Sequence, residues 1–213
     1  MNVNYDRELE KIKNEIDVSA PPRLLLHACC APCSTYCLTQ LLQHFDVTLY
    51  YANDNITDRA EWEKRLLELV KLAQIVNTGK FVIEPLRPLT LIVQQFDSSR
   101  FFNVAKGLEQ EKEGGARCRE CFALRLGDTA KYATTNGFDY FGTTLSVSPY
   151  KNSRLLNEIG LSLQTDKVKW LPADFKKRDG YRQSIELSQK YELYRQHYCG
   201  CRFSAEASSD EMK

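Results

Sequence analysis

Residues 23–37 read RLLLHACCAPCSTYC, and the fold turns on how this stretch is divided. Residues 23–28 (RLLLHA) form a short apolar run of the length of a buried strand. Ala31-Pro32 breaks the run, and Pro32 suits the first turn of a following helix, where its missing N–H costs nothing. From residue 33 to 45, Tyr36, Leu38, Leu41, Leu42 and Phe45 recur on one helical face, so the spacing predicts a helix there. Cys29 and Cys30 fall between the two elements, immediately after the strand.

Working outward, residues 3–16 carry apolar residues among charges at helical spacing, and Pro21-Pro22 ends them. Residues 47–51 (VTLYY) read as a second strand. Thr57 or Asp58 can cap a long helix running through Trp62, Leu66, Leu69 and Leu72 to Ile75. A third strand is expected at 81–84 and a helix near 89–96, followed by a polar, glycine-containing segment over 106–115. Residues 118–136 predict a helix that Gly137 stops. Strands at 138–143 and 168–171, helices at 152–163 and 181–194, and a turn at 199–201 complete the chain. This alternation gives an α/β class: a parallel sheet of about five strands with helices on both faces. It divides the chain into a helical extension (1–20), one α/β domain (21–204) and a flexible tail (205–213). Ligands of such sheets sit beyond the carboxyl ends of the strands, where Cys29 and Cys30 stand.

A chain of 213 residues, 43% hydrophobic and 27% charged, can bury a core without disulfides. Its eight cysteines therefore call for another explanation. Residues 1–20 are mixed polar and acidic and hold no apolar stretch resembling a secretory signal, so none is expected. Residues 24–45 lack acidic and basic side chains, but His27, Pro32, Ser34 and the glutamines make them a poor membrane span. The expectation is a cytoplasmic protein with no membrane partner, where clustered cysteines bind metal or do redox chemistry. The net charge of +1 lacks the basic excess of a generic phosphate binder. A nucleic-acid partner would need a local patch, and Lys176, Lys177, Arg178 and Arg182 beside Phe175 and Tyr181 offer one. A solvated helix start is the plainer reading of that segment.

The thiols fall in three places: Cys29, Cys30, Cys33 and Cys37; Cys118 and Cys121; Cys199 and Cys201. Cys118-Arg-Glu-Cys121 sits at a predicted helix start, where unpaired N–H groups and Arg117 and Arg119 favour thiolates. Cys33 and Cys37 share a helix face, Cys37 among apolar neighbours as a packed core thiol. Cys199-Gly200-Cys201 has the form of a redox dithiol or a two-ligand clip, with Gly200 permitting a sharp turn. His27 and His197 adjoin these clusters as packed or supporting residues. Spacing leaves four-thiolate zinc and iron–sulfur both open. The surplus of thiols beyond four favours redox chemistry.

Five stretches in one order resemble the QueH family of epoxyqueuosine reductases: 25–34 (LLHACCAPCS), 117–126 (RCRECFALRL), 141–151 (FGTTLSVSPYK), 174–187 (DFKKRDGYRQSIEL) and 194–204 (YRQHYCGCRFS). The resemblance implies a Rossmann-like fold and reduction of the epoxide of epoxyqueuosine in tRNA to the alkene of queuosine. It also implies a 4Fe–4S cluster held by Cys29, Cys30, Cys118 and Cys121, and an external electron donor. Cys199 and Cys201 would match the family's second thiol pair, either a redox-active disulfide or ligands of an additional iron ion. Cys33 stands where some members carry Asp and joins that second metal site. Asp174, Tyr150, Lys151 and Tyr198 are the proton-donor candidates, with Asp174 placed beside Cys199 and Cys201 in the catalytic set. Residues 174–182, including Lys176, Lys177 and Arg182, and residues 148–151, including Tyr150 and Lys151, are expected to face the nucleic acid. Asn53 and Asn55 are expected in the substrate pocket. Two competing readings are a zinc-stabilised RNA-binding protein and a thiol–disulfide oxidoreductase centred on Cys199 and Cys201.

Overall fold

In the computed structural model, which describes residues 3–210 and side chains through residue 206, five strands make one sheet. They are β1 (Arg23–His27), β2 (Asp46–Tyr51), β3 (Thr90–Val93), β4 (Tyr140–Thr143) and β5 (Lys169–Trp170). All neighbours are parallel, in the order β3-β2-β1-β4-β5. This is the Rossmann-like α/β arrangement that the alternation of strands and helices implied. The central strand β1 is apolar over Leu24–Leu26, where both of its faces are covered. Leu24 and Leu26 enter one core with Val47, Leu49 and Tyr51 of β2, whereas Leu25 enters the other.

Eight helices among the described residues cover the sheet. On the first face lie α1 (Tyr5–Glu15), α2 (Ala31–Leu41), α3 (Arg59–Asn77) and α7 (Gly180–Lys190). Leu9, Leu38, Leu41, Leu69 and Leu72 are their buried anchors. The second face carries α5 (Ala116–Thr135) and α6 (Ser153–Leu163), packed through Phe122, Leu126, Ala130, Leu156 and Ile159. The remaining two are α4 (Ser98–Ala105) and α8 (Arg202–Asp210). Local caps agree with the sequence: Asp58 accepts the N–H of Ala60, Asn152 that of Leu155, and Gly137 leaves α5 at φ 68°. The N-terminal helix docks on the sheet domain, with Leu9 in the core and Arg178 paired to Asp6 and Glu10.

Three expectations need correction. Residues 81–84 form no strand; β3 is Thr90–Val93, inside the stretch read as a helix near 89–96. Pro85 and Pro88 prevent regular structure before Thr90, and Phe81 instead packs against Tyr191 at 5.4 Å between ring centroids. Thr90 then pairs its hydroxyl with Thr48 across the strands at 2.6 Å, a contact invisible to local periodicity. The helix expected over 181–194 ends at Lys190, and Glu192 takes a positive φ of 50°. The division into an extension, a domain and a tail is a separate matter: α8 ends at Asp210, and residues 211–213 of the expected tail lie outside the described residues.

Candidate metal and active site

From β1 the chain builds outward through β2 to β3, then crosses back through α4 and α5 to β4 on the other side of β1. The connections therefore diverge above β1 and β4, which makes the carboxyl end of that pair the switch point. Cys29 leaves β1 there, donating its N–H to Thr144 Oγ1 at 3.4 Å, with its Sγ 3.6 Å from the same hydroxyl. Cys30 is extended (φ −171°) and caps α2, its Sγ accepting the Cys33 N–H at 3.4 Å while Ser34 Oγ donates to its carbonyl at 2.8 Å. An extended residue followed at once by a helical turn is what lets neighbouring thiols converge. The Sγ atoms of Cys29 and Cys30 are 3.8 Å apart, and those of Cys29, Cys30 and Cys33 all lie within 4.8 Å of one another. Three convergent sulfurs can hold a metal ion.

The sulfurs do not share one charge state. Hydrogen bonds from Cys30 and Cys33, with the nearby Arg125 charge, hold the Cys29 thiol well below its ordinary value. Burial pushes Cys30 up to about 12, and the bond to Cys29 pushes Cys33 well up. The lowered Cys29 is thus the sulfur of the triad that most readily gives up its proton. Cys37, one turn further along α2, points into the core and donates to the Cys33 carbonyl at 3.2 Å.

Behind Cys29 lies a buried polar chain. His27 meets Thr143 Oγ1 through Nδ1 (2.9 Å) and the Ala52 carbonyl through Nε2 (3.2 Å). Burial and the Arg125 charge lower its pKa to about 3, so it is neutral near pH 7. Arg125, 2% exposed, places Nε 3.3 Å from His27 Nε2, Nη2 2.6 Å from Asn53 Oδ1 and Nη1 3.9 Å from Cys121 Sγ. Asn53 in turn donates to the Ala28 carbonyl at 2.9 Å, which fixes the residue before the cysteine pair.

Facing this wall, the Cys199-Gly200-Cys201 turn is held from α3. Arg65, also 2% exposed, pairs with Glu61 at 2.7 Å and donates to the carbonyls of Cys199 (3.0 Å) and Tyr198 (3.4 Å). Cys199 Sγ receives Lys151 Nζ at 3.4 Å and Asn55 Nδ2 at 3.9 Å. Burial opposes the Lys151 charge, but Cys199 and Glu113, the latter at 2.8 Å, outweigh it and raise its pKa. Burial raises Cys121 to about 12 and Cys201 to about 11. Both sit in a small apolar cluster with Phe101 and Ala105. Cys118 Sγ accepts the Gly114 N–H at 3.2 Å. All eight cysteines are free thiols.

A cavity of about 910 Å³ opens between the two walls, lined by Cys29, Cys33, Cys199, Arg125, Lys151 and Tyr150 among others. Tyr150 is 74% exposed on its rim. Of the other residues singled out in the sequence, Cys30, Cys121 and Cys201 are buried behind the lining. Asn53 and Asn55 are buried as well, Asn53 holding Ala28 and Arg125 and Asn55 facing Cys199. Asp174 and Lys177 line a different hollow, with Tyr5 and Ser153. Lys176 Nζ clamps the carbonyls of Ser146 (3.1 Å) and Lys151 (2.9 Å) from outside the cavity. Arg182 is spent on Asp179 and Glu186 at the surface.

Sequence reasoning passed over Arg65, Glu113 and Arg125. A signal existed for two of them. Arg65 interrupts the apolar series Trp62, Leu69, Leu72 on α3, and Arg125 lies four residues after Cys121 on the buried face of α5. A cation on the apolar stripe of a helix announces a buried partner. Glu113, in the polar segment before α5, carries no such mark.

Sulfur, with buried cations beside it, is what this cavity offers a ligand, and that defines a thiolate-site protein built on an open parallel sheet. Comparison with known proteins narrows the class. A family model described as "Epoxyqueuosine reductase QueH" matches residues 24–207. Proteins named epoxyqueuosine reductase QueH are 40% identical in Streptococcus pyogenes serotype M1 (99% of this chain, 81% of the relative) and 41% identical in Staphylococcus epidermidis (99% and 88%). A more distant one, from Thermotoga maritima, is 32% identical over 85% of this chain and 89% of its own length. The chain belongs to the QueH family of epoxyqueuosine reductases. No helix among the described residues is long and apolar enough to cross a membrane.

Proposed function

We propose that this protein reduces the epoxide of epoxyqueuosine in tRNA to the alkene of queuosine, using an iron–sulfur cluster bound by its cysteines and electrons from an external donor. The observation that carries the reading is the thiol-lined cavity at the switch point: three sulfurs within 4.8 Å of one another on one wall and Cys199 on the other. The residues present fit a thiolate-bound group. Neighbouring thiols and the Arg125 charge lower the Cys29 thiol well below its ordinary value, and Asn55, whose Nδ2 faces Cys199 Sγ at 3.9 Å, has a buried Oδ1 with no partner among the described residues. Under this reading Cys29, Cys30, Cys118 and Cys121 hold the cluster, and Cys33, Cys199 and Cys201 serve an additional iron or a dithiol. Arg125 links the two halves of that ligand set, touching Cys121 and lowering Cys29.

Turning an epoxide into an alkene releases the oxygen as water and consumes two electrons and two protons. The cluster would supply the electrons one at a time. The chain's own groups have other tasks. Lys151 holds a proton at Nζ, between the Glu113 carboxylate and Cys199 Sγ, at the cavity wall. Tyr150, exposed on the rim, offers a ring on which a base can stack. Asp174, Lys176, Lys177 and Arg182, away from the cysteines, are better suited to supporting the RNA side or the Lys151 turn than to proton transfer.

The test is anaerobic incubation with tRNA carrying epoxyqueuosine and a chemical reductant, followed by nucleoside analysis. The expected result is conversion to queuosine by a brown protein containing iron and acid-labile sulfide, and loss of both in Cys118→Ala. A colourless protein holding one zinc and leaving the epoxide intact would overturn the proposal.

A further inference from the structure

Four cations are buried around the cavity, and their partners differ. Arg65 has Glu61 and Lys151 has Glu113. Arg117 donates to the carbonyls of Leu108 and Glu109. Arg125 sits with His27 Nε2, Asn53 Oδ1 and Cys121 Sγ. His27 is neutral and Asn53 uncharged, and no carboxylate among the described residues lies within ion-pair distance of the Arg125 guanidinium. A guanidinium stays charged in protein interiors, so leaving one buried and uncompensated is strongly unfavourable. Burial works against its charge, and the groups around it that can carry compensating negative charge are sulfurs: Cys121, whose Sγ lies 3.9 Å from Nη1, then Cys199 and Cys29. Asp54 interacts with it only weakly, and its own ion pair is with Arg100 at 2.9 Å.

We propose that Arg125 is the fixed countercharge of the thiolate-bound cluster, a positioning residue that makes the cluster easier to reduce. The inference rests on the iron–sulfur reading above. Each one-electron reduction adds one negative charge to the cluster without removing any from the four thiolates. A cation held in a dry site against those sulfurs therefore stabilises the reduced form more than the oxidised form. The geometry holds the charge in place: Asn53, His27 and Cys121 engage three nitrogens of the guanidinium at the cavity wall. Removing the charge should shift the midpoint potential to more negative values, which makes the cluster harder for the external donor to reduce.

The experiment compares the anaerobically reconstituted wild type with Arg125→Gln, Arg125→Lys and Asn53→Asp. Iron and sulfide are counted first, and the midpoint potential is then read by dye-mediated redox titration. Asn53→Asp leaves the arginine in place but sets a carboxylate against its guanidinium, cancelling the charge by a second route. The expected result is a potential more negative than wild type in Arg125→Gln and Asn53→Asp, and one near wild type in Arg125→Lys. Cluster uptake by Arg125→Lys alone among the variants would also support the charge. A wild-type potential in Arg125→Gln or Asn53→Asp, or loss of the cluster in all three variants alike, would mean that Arg125 only holds the fold, and would overturn the inference. A wild-type protein that takes up no iron is recognised before any variant is compared and defeats the reading beneath it as well.

Discussion

Replacing Gly200 with alanine tests whether the Cys199–Cys201 turn is as tightly determined as its surroundings imply. Gly200 has φ 113°, a region that residues with a Cβ enter at a cost of about 1–3 kcal/mol. A methyl group there would lie 2.9 Å from Ile56 Cγ1 and 3.0 Å from Arg65 Nη1. Arg65 cannot swing clear without releasing the Cys199 carbonyl at 3.0 Å and Glu61 at 2.7 Å. Overpacking of this kind adds about 1–3 kcal/mol, giving about 2–6 kcal/mol in all. The assay is urea unfolding followed by circular dichroism, beside Gly127→Ala as control. Gly127 lies within α5 with no heavy atom within 4 Å of a new Cβ, so alanine there should stabilise by about 0.5–1 kcal/mol. Displacing the turn should also pull Cys199 Sγ from Lys151 Nζ, now 3.4 Å away, and lower epoxide reduction. A Gly200→Ala protein within about 0.5 kcal/mol of wild type and fully active would refute the reasoning.

Arg65→Met should destabilise by about 3–5 kcal/mol, because it strands the part-buried Glu61 carboxylate and two carbonyls of the dithiol turn; denaturant midpoints read this directly. Cys30→Ala should abolish iron binding, while Cys37→Ala should keep the metal and lose about 1 kcal/mol from its core site; iron analysis beside thermal melts separates the two. Burial, reinforced by repulsion from Asp128, raises Asp54 to about 6 despite Arg100. The folded chain therefore holds that proton to higher pH than the unfolded chain. Its contribution is complete below pH ~4 and is lost as the pH rises through about 6. Asp54→Asn should flatten this part of the stability profile, and an unchanged profile from pH ~4 to ~7 would assign the dependence to other groups.

The elements that local patterning could reveal were those with strong period and punctuation. β1, α2, α3, α5 and α6 follow from apolar spacing, and Asp58, Asn152 and Gly137 set their ends within a residue or two. β3 was misplaced because Thr90–Val93 is four residues at the sheet edge, half-exposed, and becomes a strand only by pairing with β2. Residues 81–84 have strand composition but are followed by two prolines and packed by Tyr191.

The sequence determined by itself that the cysteines fall in three places in the chain, and that Cys29 and Cys30 stand at the end of the first strand. Both are local facts of spacing and order. Which sulfurs converge was decided by tertiary structure, because convergence depends on the extended backbone at Cys30, the first turn of α2 and the order in which β4 joins β1. So was the charge around them. Arg65 and Arg125 come from helices on opposite faces of the sheet, and no local pattern says that their side chains reach the Cys199 turn or the wall behind Cys29. Tertiary structure likewise separated Lys151, which meets Cys199, from Asp174, which turns to another hollow. Sequence records which side chains are available, and the packing of the sheet and helices fixes the distances on which their chemistry depends.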